Sequence, residues 1–146
     1  MPGKRPFGVT LLLWLVLTLS AWGAVRWLAA LRWWDVLVEF EARLPPWYLA
    51  LSGAAWVLVG GALLWGLFMG KRWTQPGIPI SICLWLLQYW IERVFFQSPR
   101  PNLPFAILAS LLLLTVTLVT AFTRKTKSFL IRSEEYEQPN QDPESA

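Results

Sequence analysis

The apolar residues of the chain fall into four long blocks, at residues 8–25, 47–70, 78–97 and 103–123. The second block holds no charged residue, and as a helix its 24 residues would extend about 36 Å. That length crosses a hydrocarbon core of about 30 Å with some tilt. The pattern therefore predicts an all-α polytopic membrane protein, with four transmembrane helices in one domain over residues 1–132.

The first block also has features of a secretory signal, since a basic start precedes an apolar core. The best small-residue pair for cleavage, Ala21 and Gly23, flanks the bulky Trp22, and the apolar run is long for a signal. These features favour a first span that is retained.

Residues 26–46 connect the first two spans and carry charges in helical register. Arg32, Asp35, Glu39 and Arg43 follow one another at spacings of three and four residues. The spacing predicts an amphipathic helix in the membrane interface, or a continuation of the first span that leaves the membrane at an angle. We expect a connector that keeps its apolar face in lipid; the alternative is a platform for a partner.

The third span carries a polar face. Ser81, Gln88 and Glu92 share one side of the helix, and Arg93 lies beside them. An acidic residue within a span is a candidate functional site, because burying it unpaired is costly. Two hypotheses are open. Glu92 is either an interfacial anchor paired with Arg93 or Arg100, or a group that handles a proton or a substrate.

The second span is rich in small residues, of which Ala62, Gly66 and Gly70 repeat at four-residue spacing. Small side chains let helix backbones approach closely in lipid, so this row predicts a helix-packing surface. Its partner is another span or a second copy of the chain.

The fourth span has only hydroxyl groups as polar side chains, and these are expected to bond to their own backbone or to a neighbour. After it, the segment 133–146 contains five acidic residues and no basic one. That composition predicts a disordered acidic tail.

The distribution of charge indicates an orientation. With four spans, the termini and the central connection share one side and hold eight basic residues against five on the other. The eight are Lys4, Arg5, Lys71, Arg72, Arg124, Lys125, Lys127 and Arg132. The positive-inside rule then predicts a multi-pass protein with both termini in the cytoplasm. Basic residues that flank spans also argue against nucleic acid as a partner.

Composition narrows the chemistry. There is no histidine, and Cys83 is the single cysteine, which removes the commonest general base, the commonest metal ligand and any intrachain disulfide. We therefore expect no catalytic residues, no cofactor and no metal site. Cys83 lies in an apolar run and is predicted to be a buried core residue.

The layout resembles small four-helix integral membrane proteins of bacteria, families without an assigned activity. The local likeness is the motif GLFMGKRW at residues 66–73, where a span ends in Gly-x-x-x-Gly, two bases and a tryptophan. The resemblance implies a four-helix fold in the bacterial inner membrane. Small multidrug resistance transporters also have four spans, but their essential acid lies in the first one, which has none here.

Three functions follow as hypotheses. The first is a non-enzymatic helix bundle that acts by association with itself or with a larger membrane partner. The alternative is a small transporter or channel that uses the face of Ser81, Gln88 and Glu92. The third is a lipid-modifying enzyme with Glu92 as general base, and with Arg93 or Arg100 holding a phosphate.

Overall fold

The computed structural model describes residues 6–40, 44–96 and 102–137, with side chains described up to residue 131. These residues form helices and turns and contain no β-strand. The helices are α1 (Phe7–Arg32), α2 (Trp34–Glu39), α3 (Pro46–Phe68), α4 (Thr74–Phe95), α5 (Leu103–Phe122) and α6 (Arg124–Glu137). As predicted, the fold is all-helical, and α1, α3, α4 and α5 are long and apolar enough to cross a bilayer.

Among the described helices, α1 and α3 make the most extensive contact. They run antiparallel, because Gly23 of α1 packs at Gly53 of α3 while the earlier Ser20 packs at the later Gly60. Buried residues recur on both helices at alternating spacings of three and four, the pattern of knobs-into-holes packing. On α3 they are Gly53, Trp56, Gly60, Leu63 and Leu67, and on α1 Leu12, Val16, Leu19 and Gly23.

Glycine makes this close approach possible. A Cβ atom built on Gly53 would lie 2.6 Å from the backbone nitrogen of Trp27 and 2.7 Å from the carbonyl oxygen of Gly23. Both neighbours are backbone atoms, so they could not move aside as a flexible side chain can. The α1–α3 contact therefore depends on glycine at position 53.

The predicted packing row of Ala62, Gly66 and Gly70 is not buried as one continuous surface. Ala62 is exposed, whereas Gly66 is buried against Thr74 and Trp73, at the start of the next helix. Gly70 follows the end of α3 and has a φ of 66°, a left-handed conformation that suits glycine. Gly66 and Gly70 thus shape the turn between α3 and α4.

Helix α4 begins at Thr74, four residues before the predicted span. Pro76 is accommodated in the first turn, where a backbone N–H has no intrahelical partner, while Pro79 lies inside the helix. The prediction that Cys83 is a buried core residue is wrong, since its side chain is exposed. The preceding residues Ser81 and Ile82 face the interior of the bundle, so the rotation of the helix places Cys83 on its outer side.

Helix α5 packs against α4. Its side-chain hydroxyl groups form hydrogen bonds within the helix. As expected, these groups donate to the carbonyl four residues earlier, as Thr117 does to Leu113 at 2.7 Å and Ser110 to Ala106 at 2.8 Å. The Ser110 oxygen also accepts a hydrogen bond of 3.2 Å from Trp90 of α4. The polar atoms of α5 are thus satisfied within the bundle.

The structure describes only part of the two segments predicted as a connector and a tail. The connector over 26–46 is divided, because α1 continues to Arg32 and the short α2 follows; residues 41–43 lie outside the described residues. The predicted disordered tail is helical over 133–137, where it continues α6, and 138–146 lie outside the described residues. Helix α6 is supported by tertiary packing, since Thr126 and Leu130 are buried.

Candidate functional site

An ion pair joins α1 to α4 near one end of the bundle. Nη1 of Arg26 donates to Oε2 of Glu92, and Nη2 donates to Oε1, each at 2.9 Å. This fork geometry is the strong, directional form of a charge-assisted hydrogen bond. Both side chains are largely buried, with 14% of Arg26 and 10% of Glu92 exposed. The pair lies about 9 Å along α1 from the end of that helix, at about 1.5 Å per residue.

Helix α3 completes the network around this pair. Tyr48 donates a hydrogen bond of 2.9 Å to Oε1 of Glu92, and Ser52 accepts one of 3.3 Å from Nη2 of Arg26. Gln88 donates to Glu92 at 2.8 Å and to the Tyr48 oxygen at 3.2 Å, and its carbonyl oxygen accepts from Nε1 of Trp56 at 2.6 Å. The carboxylate of Glu92 therefore accepts four hydrogen bonds, from three helices.

The residues of the predicted polar face of α4 do not all belong to the network. Gln88 and Glu92 belong to the network, whereas Ser81 is buried about two turns away and does not line the cavity described below. Arg93 is buried on the neighbouring side, where Nη1 donates to the Tyr89 hydroxyl at 2.9 Å. Arg100, the other predicted partner of Glu92, lies outside the described residues.

Sequence reasoning missed the partners that Glu92 has in α1 and α3. Arg26 follows an uncharged block of 18 residues, so its position in the sequence is that of a base flanking a span. The signal that could have found it is helical spacing, since the apolar or small residues Leu19, Gly23 and Ala30 lie in one register with position 26. Tyr48, Ser52 and Trp56 lie at four-residue spacing on α3, which places their polar groups on one face.

A cavity of about 640 Å³ lies between α1, α4 and α5, next to the network. Its volume is within the range of about 300–1,000 Å³ that is typical of small-molecule sites. The lining is mostly apolar and aromatic, and polar groups gather at the end where the ion pair lies. The lining residues are Leu15, Thr18, Leu19, Trp22, Arg26, Ile82, Trp85, Gln88, Tyr89, Glu92 and Leu113.

The cavity reaches the side of the bundle. Thr18 and Trp22 line it and are exposed, with Trp22 at 51% exposure. On the opposite wall the rings of Trp85 and Tyr89 are stacked, with centroids 6.1 Å apart and an interplanar angle of 14°. The site is thus an apolar, aromatic-lined space with a lateral opening and one polar end.

The network fixes the orientation of the Glu92 carboxylate. Oε1 accepts three hydrogen bonds and Oε2 accepts one, all from neighbouring side chains. The described residues contain no group of three or more His, Cys, Asp or Glu side chains that could hold a metal ion. The cavity beside the network is a feature of the described structure that offers space for another molecule.

Comparison of the chain with protein-family models, with curated proteins and with solved structures finds no match in any of the three.

Proposed function

We propose that this chain is a non-enzymatic, multi-pass membrane protein that binds a small amphipathic molecule in the lateral cavity between α1, α4 and α5. The observation that carries the proposal is the cavity's shape and lining, apolar along its length with the Arg26–Glu92 pair at one end. Sites for small molecules are mostly apolar and hold a few well-placed polar groups. An amphipathic molecule has the matching division into an apolar and a polar part.

The surface of the bundle supports a lipid environment. Large apolar side chains are exposed on each of the four long helices, including Trp14 at 65%, Leu58 at 73%, Leu84 at 54% and Leu108 at 65%. Soluble monomers rarely expose contiguous apolar surface on this scale. In a bilayer the same side chains would lie against acyl chains, and the lateral opening at Trp22 would face lipid.

The proposed location is the inner membrane of a bacterial cell, with both termini in the cytoplasm, as the positive-inside rule predicts. The exposed bases Arg124, Lys125 and Lys127 of α6 would then lie at the cytoplasmic surface, where anionic lipids attract them. The polar end of the cavity would lie toward the opposite surface, because Arg26 and Glu92 are near the far ends of α1 and α4.

A substitution that fills the cavity tests whether a ligand binds there. Leu15 lines it, so Leu15→Trp would occupy its volume, whereas Leu17→Trp adds the same ring at an exposed position of the same helix. We expect native mass spectrometry of the protein released from phosphatidylcholine nanodiscs to detect one bound amphiphile per chain. Leu15→Trp should abolish this adduct and Leu17→Trp should retain it. Equal adducts in both variants would refute binding in the cavity.

Association with a second copy or with a larger membrane partner is the second candidate function. It rests on Gly61 and Ala62, two exposed small residues on the outer surface of α3, with no atom within 4 Å of a Cβ built on Gly61. Such a surface allows another helix to approach closely. Disulfide cross-linking of Ala62→Cys in a Cys83→Ser background, compared with Leu58→Cys, tests self-association. A monomer at both positions would argue against it.

A further inference from the structure

We propose that the basic end of the bundle, which comprises α6 and the turn between α3 and α4, docks onto the phosphate head groups of an anionic phospholipid leaflet. This surface contributes no residue to the lining of the cavity. The inference therefore rests on the membrane setting of the proposed function and not on the cavity ligand. The partner is identified by its chemistry, a layer of negatively charged phosphates above apolar chains.

The two parts of the basic end lie at the same end of the bundle. Gly8, at the start of α1, packs against Thr126 of α6. Since α1 and α3 run antiparallel, the turn that follows α3 lies at the same end as the start of α1. The bases described there are the half-buried Lys71 and the exposed Arg72, Arg124, Lys125 and Lys127.

The acidic side chains of the described structure lie elsewhere. Among the residues whose side chains are described, the acids are Asp35, Glu39 and Glu92, and all three lie toward the opposite end of the bundle. The acids of α6 begin at Glu134, about two turns beyond Lys127. The first half of α6 therefore carries a local excess of positive charge, which favours an anionic partner.

Helix α6 presents its bases away from the bundle. Thr123 has extended backbone angles, with φ of −62° and ψ of 138°, so the helical path is interrupted between α5 and α6. Thr126 and Leu130, one turn apart, are buried, whereas the bases of α6 whose side chains are described are exposed. One side of α6 thus packs on the bundle and the rest offers positive charge to the surroundings.

The position of the bases within α6 strengthens the preference for an anion. Arg124, Lys125 and Lys127 are three of the first four residues of the helix, where the helix dipole adds partial positive charge. Bases are favoured near the opposite end of a helix, so these charges are unfavourable here until an anion lies beside them. Phosphate groups supply that negative charge.

The depth of the bases favours a lipid leaflet over a soluble polyanion. Arg124 lies two residues after Phe122, which ends α5 and is 56% exposed. Arg72 is followed by the exposed Trp73. In a bilayer such large apolar side chains lie at the edge of the hydrocarbon, which places the neighbouring bases at the level of the lipid phosphates.

The experiment measures lipid selectivity by electron spin resonance. Wild-type protein is reconstituted in phosphatidylcholine vesicles that contain a trace of spin-labelled phosphatidylglycerol or of spin-labelled phosphatidylcholine. The motionally restricted fraction of each label reports its association with the protein surface. We expect phosphatidylglycerol to associate about threefold more strongly than phosphatidylcholine. High ionic strength should reduce this preference, because salt screens exposed charges.

A matched pair of triple variants identifies the surface. The first carries Arg124→Gln, Lys125→Gln and Lys127→Gln, and should lose most of the preference for phosphatidylglycerol. The second carries Arg124→Lys, Lys125→Arg and Lys127→Arg, and should retain the preference because it keeps every charge. Full preference in the first variant, or equal loss in both, would overturn the inference.

A soluble polyanion tests the other kind of occupant. A single-stranded oligonucleotide is added to the wild-type vesicles, and the preference for phosphatidylglycerol should persist. Its loss would show that a soluble anion is the favoured occupant and would contradict docking onto lipid. Equal association of the two labels with the wild-type protein would also overturn the inference, and would leave the proposed function standing, because the Leu15→Trp comparison tests the cavity separately.

Discussion

The guanidinium of Arg26 and the carboxylate of Glu92 join α1 to α4 through two hydrogen bonds of 2.9 Å each. The closely packed helix pairs of the bundle include α1 with α3 and α4 with α5, whereas α1 and α4 are separated by the cavity. The ion pair is therefore a direct polar contact between these two helices. It also forms the polar end of the cavity, so the same contact supports both the fold and the site.

Removing one partner of this pair should destabilise the protein more than removing both. We expect Arg26→Leu and Glu92→Leu each to lower the free energy of unfolding by about 3–5 kcal/mol, because each leaves a buried charge uncompensated. The double variant should lose less than the sum of the two. Reversible unfolding in mixed micelles measures these free energies.

The matched control for that cycle is Arg32→Leu, which removes an exposed charge from the end of the same helix. Its effect should stay within about 0.5 kcal/mol. Strictly additive losses in the double variant would show that Arg26 and Glu92 do not interact in the folded protein.

Two glycines of α3 should respond in opposite ways to the same added methyl group. Gly53→Ala places a carbon against the backbone of Trp27 and Gly23, and should destabilise by about 1–3 kcal/mol. Gly61→Ala meets no atom within 4 Å and improves helix propensity, so it should stabilise by up to about 1 kcal/mol. The unfolding assay used above measures both. Similar effects at the two positions would contradict the α1–α3 packing.

The four long helices show what a local pattern can predict. Apolar block length is a property of a short stretch of sequence, so helices long enough to cross a bilayer could be expected near the four blocks. The continuation of α1 to Arg32 was one of two alternatives for the connector, and a local pattern could not decide between them, because the charge of Arg26 is accommodated by Glu92, a residue 66 positions away. Local hydropathy contains no information about such a partner.

The candidate site was also predictable only in part. Helical spacing placed Gln88 and Glu92 on one face, and both are in the network. Ser81 satisfied the same spacing but lies farther along the helix, and the contributions of Tyr48 and Trp56 depend on how α3 packs beside α4. The row of Ala62, Gly66 and Gly70 was predicted from its four-residue spacing alone, and that spacing contains no information about the partner helix. The structure instead uses Gly53 and Gly60, which face α1.

The exposed Cys83 offers a test of what surrounds the bundle. It lies about 14 Å along α4 from the start of the helix, at about 1.5 Å per residue, and therefore near mid-span. In native membranes we expect it to react with a lipid-soluble maleimide and to resist a charged thiosulfonate. Denaturation in SDS should expose it to both reagents. Rapid reaction with the charged reagent in intact membranes would show that this surface faces water.

The orientation can be tested in a Cys83→Ser background. Ser128 of α6 and Val36 of α2 are both exposed and lie near opposite ends of the bundle. A charged thiol reagent added to intact cells should label Val36→Cys and spare Ser128→Cys, because the termini are proposed to be cytoplasmic. Labelling of Ser128→Cys alone would reverse the orientation. The start of α1 lies on the same side as α6, since Gly8 packs against Thr126.

The most direct test of the account is an electron-density map of the protein crystallised in a lipidic mesophase. The account predicts elongated density between α1, α4 and α5, with one end beside the Arg26–Glu92 pair and the other among Leu15, Ile82 and Leu113. A map in which α1 and α4 close together and leave no space beside the Arg26–Glu92 pair would contradict it.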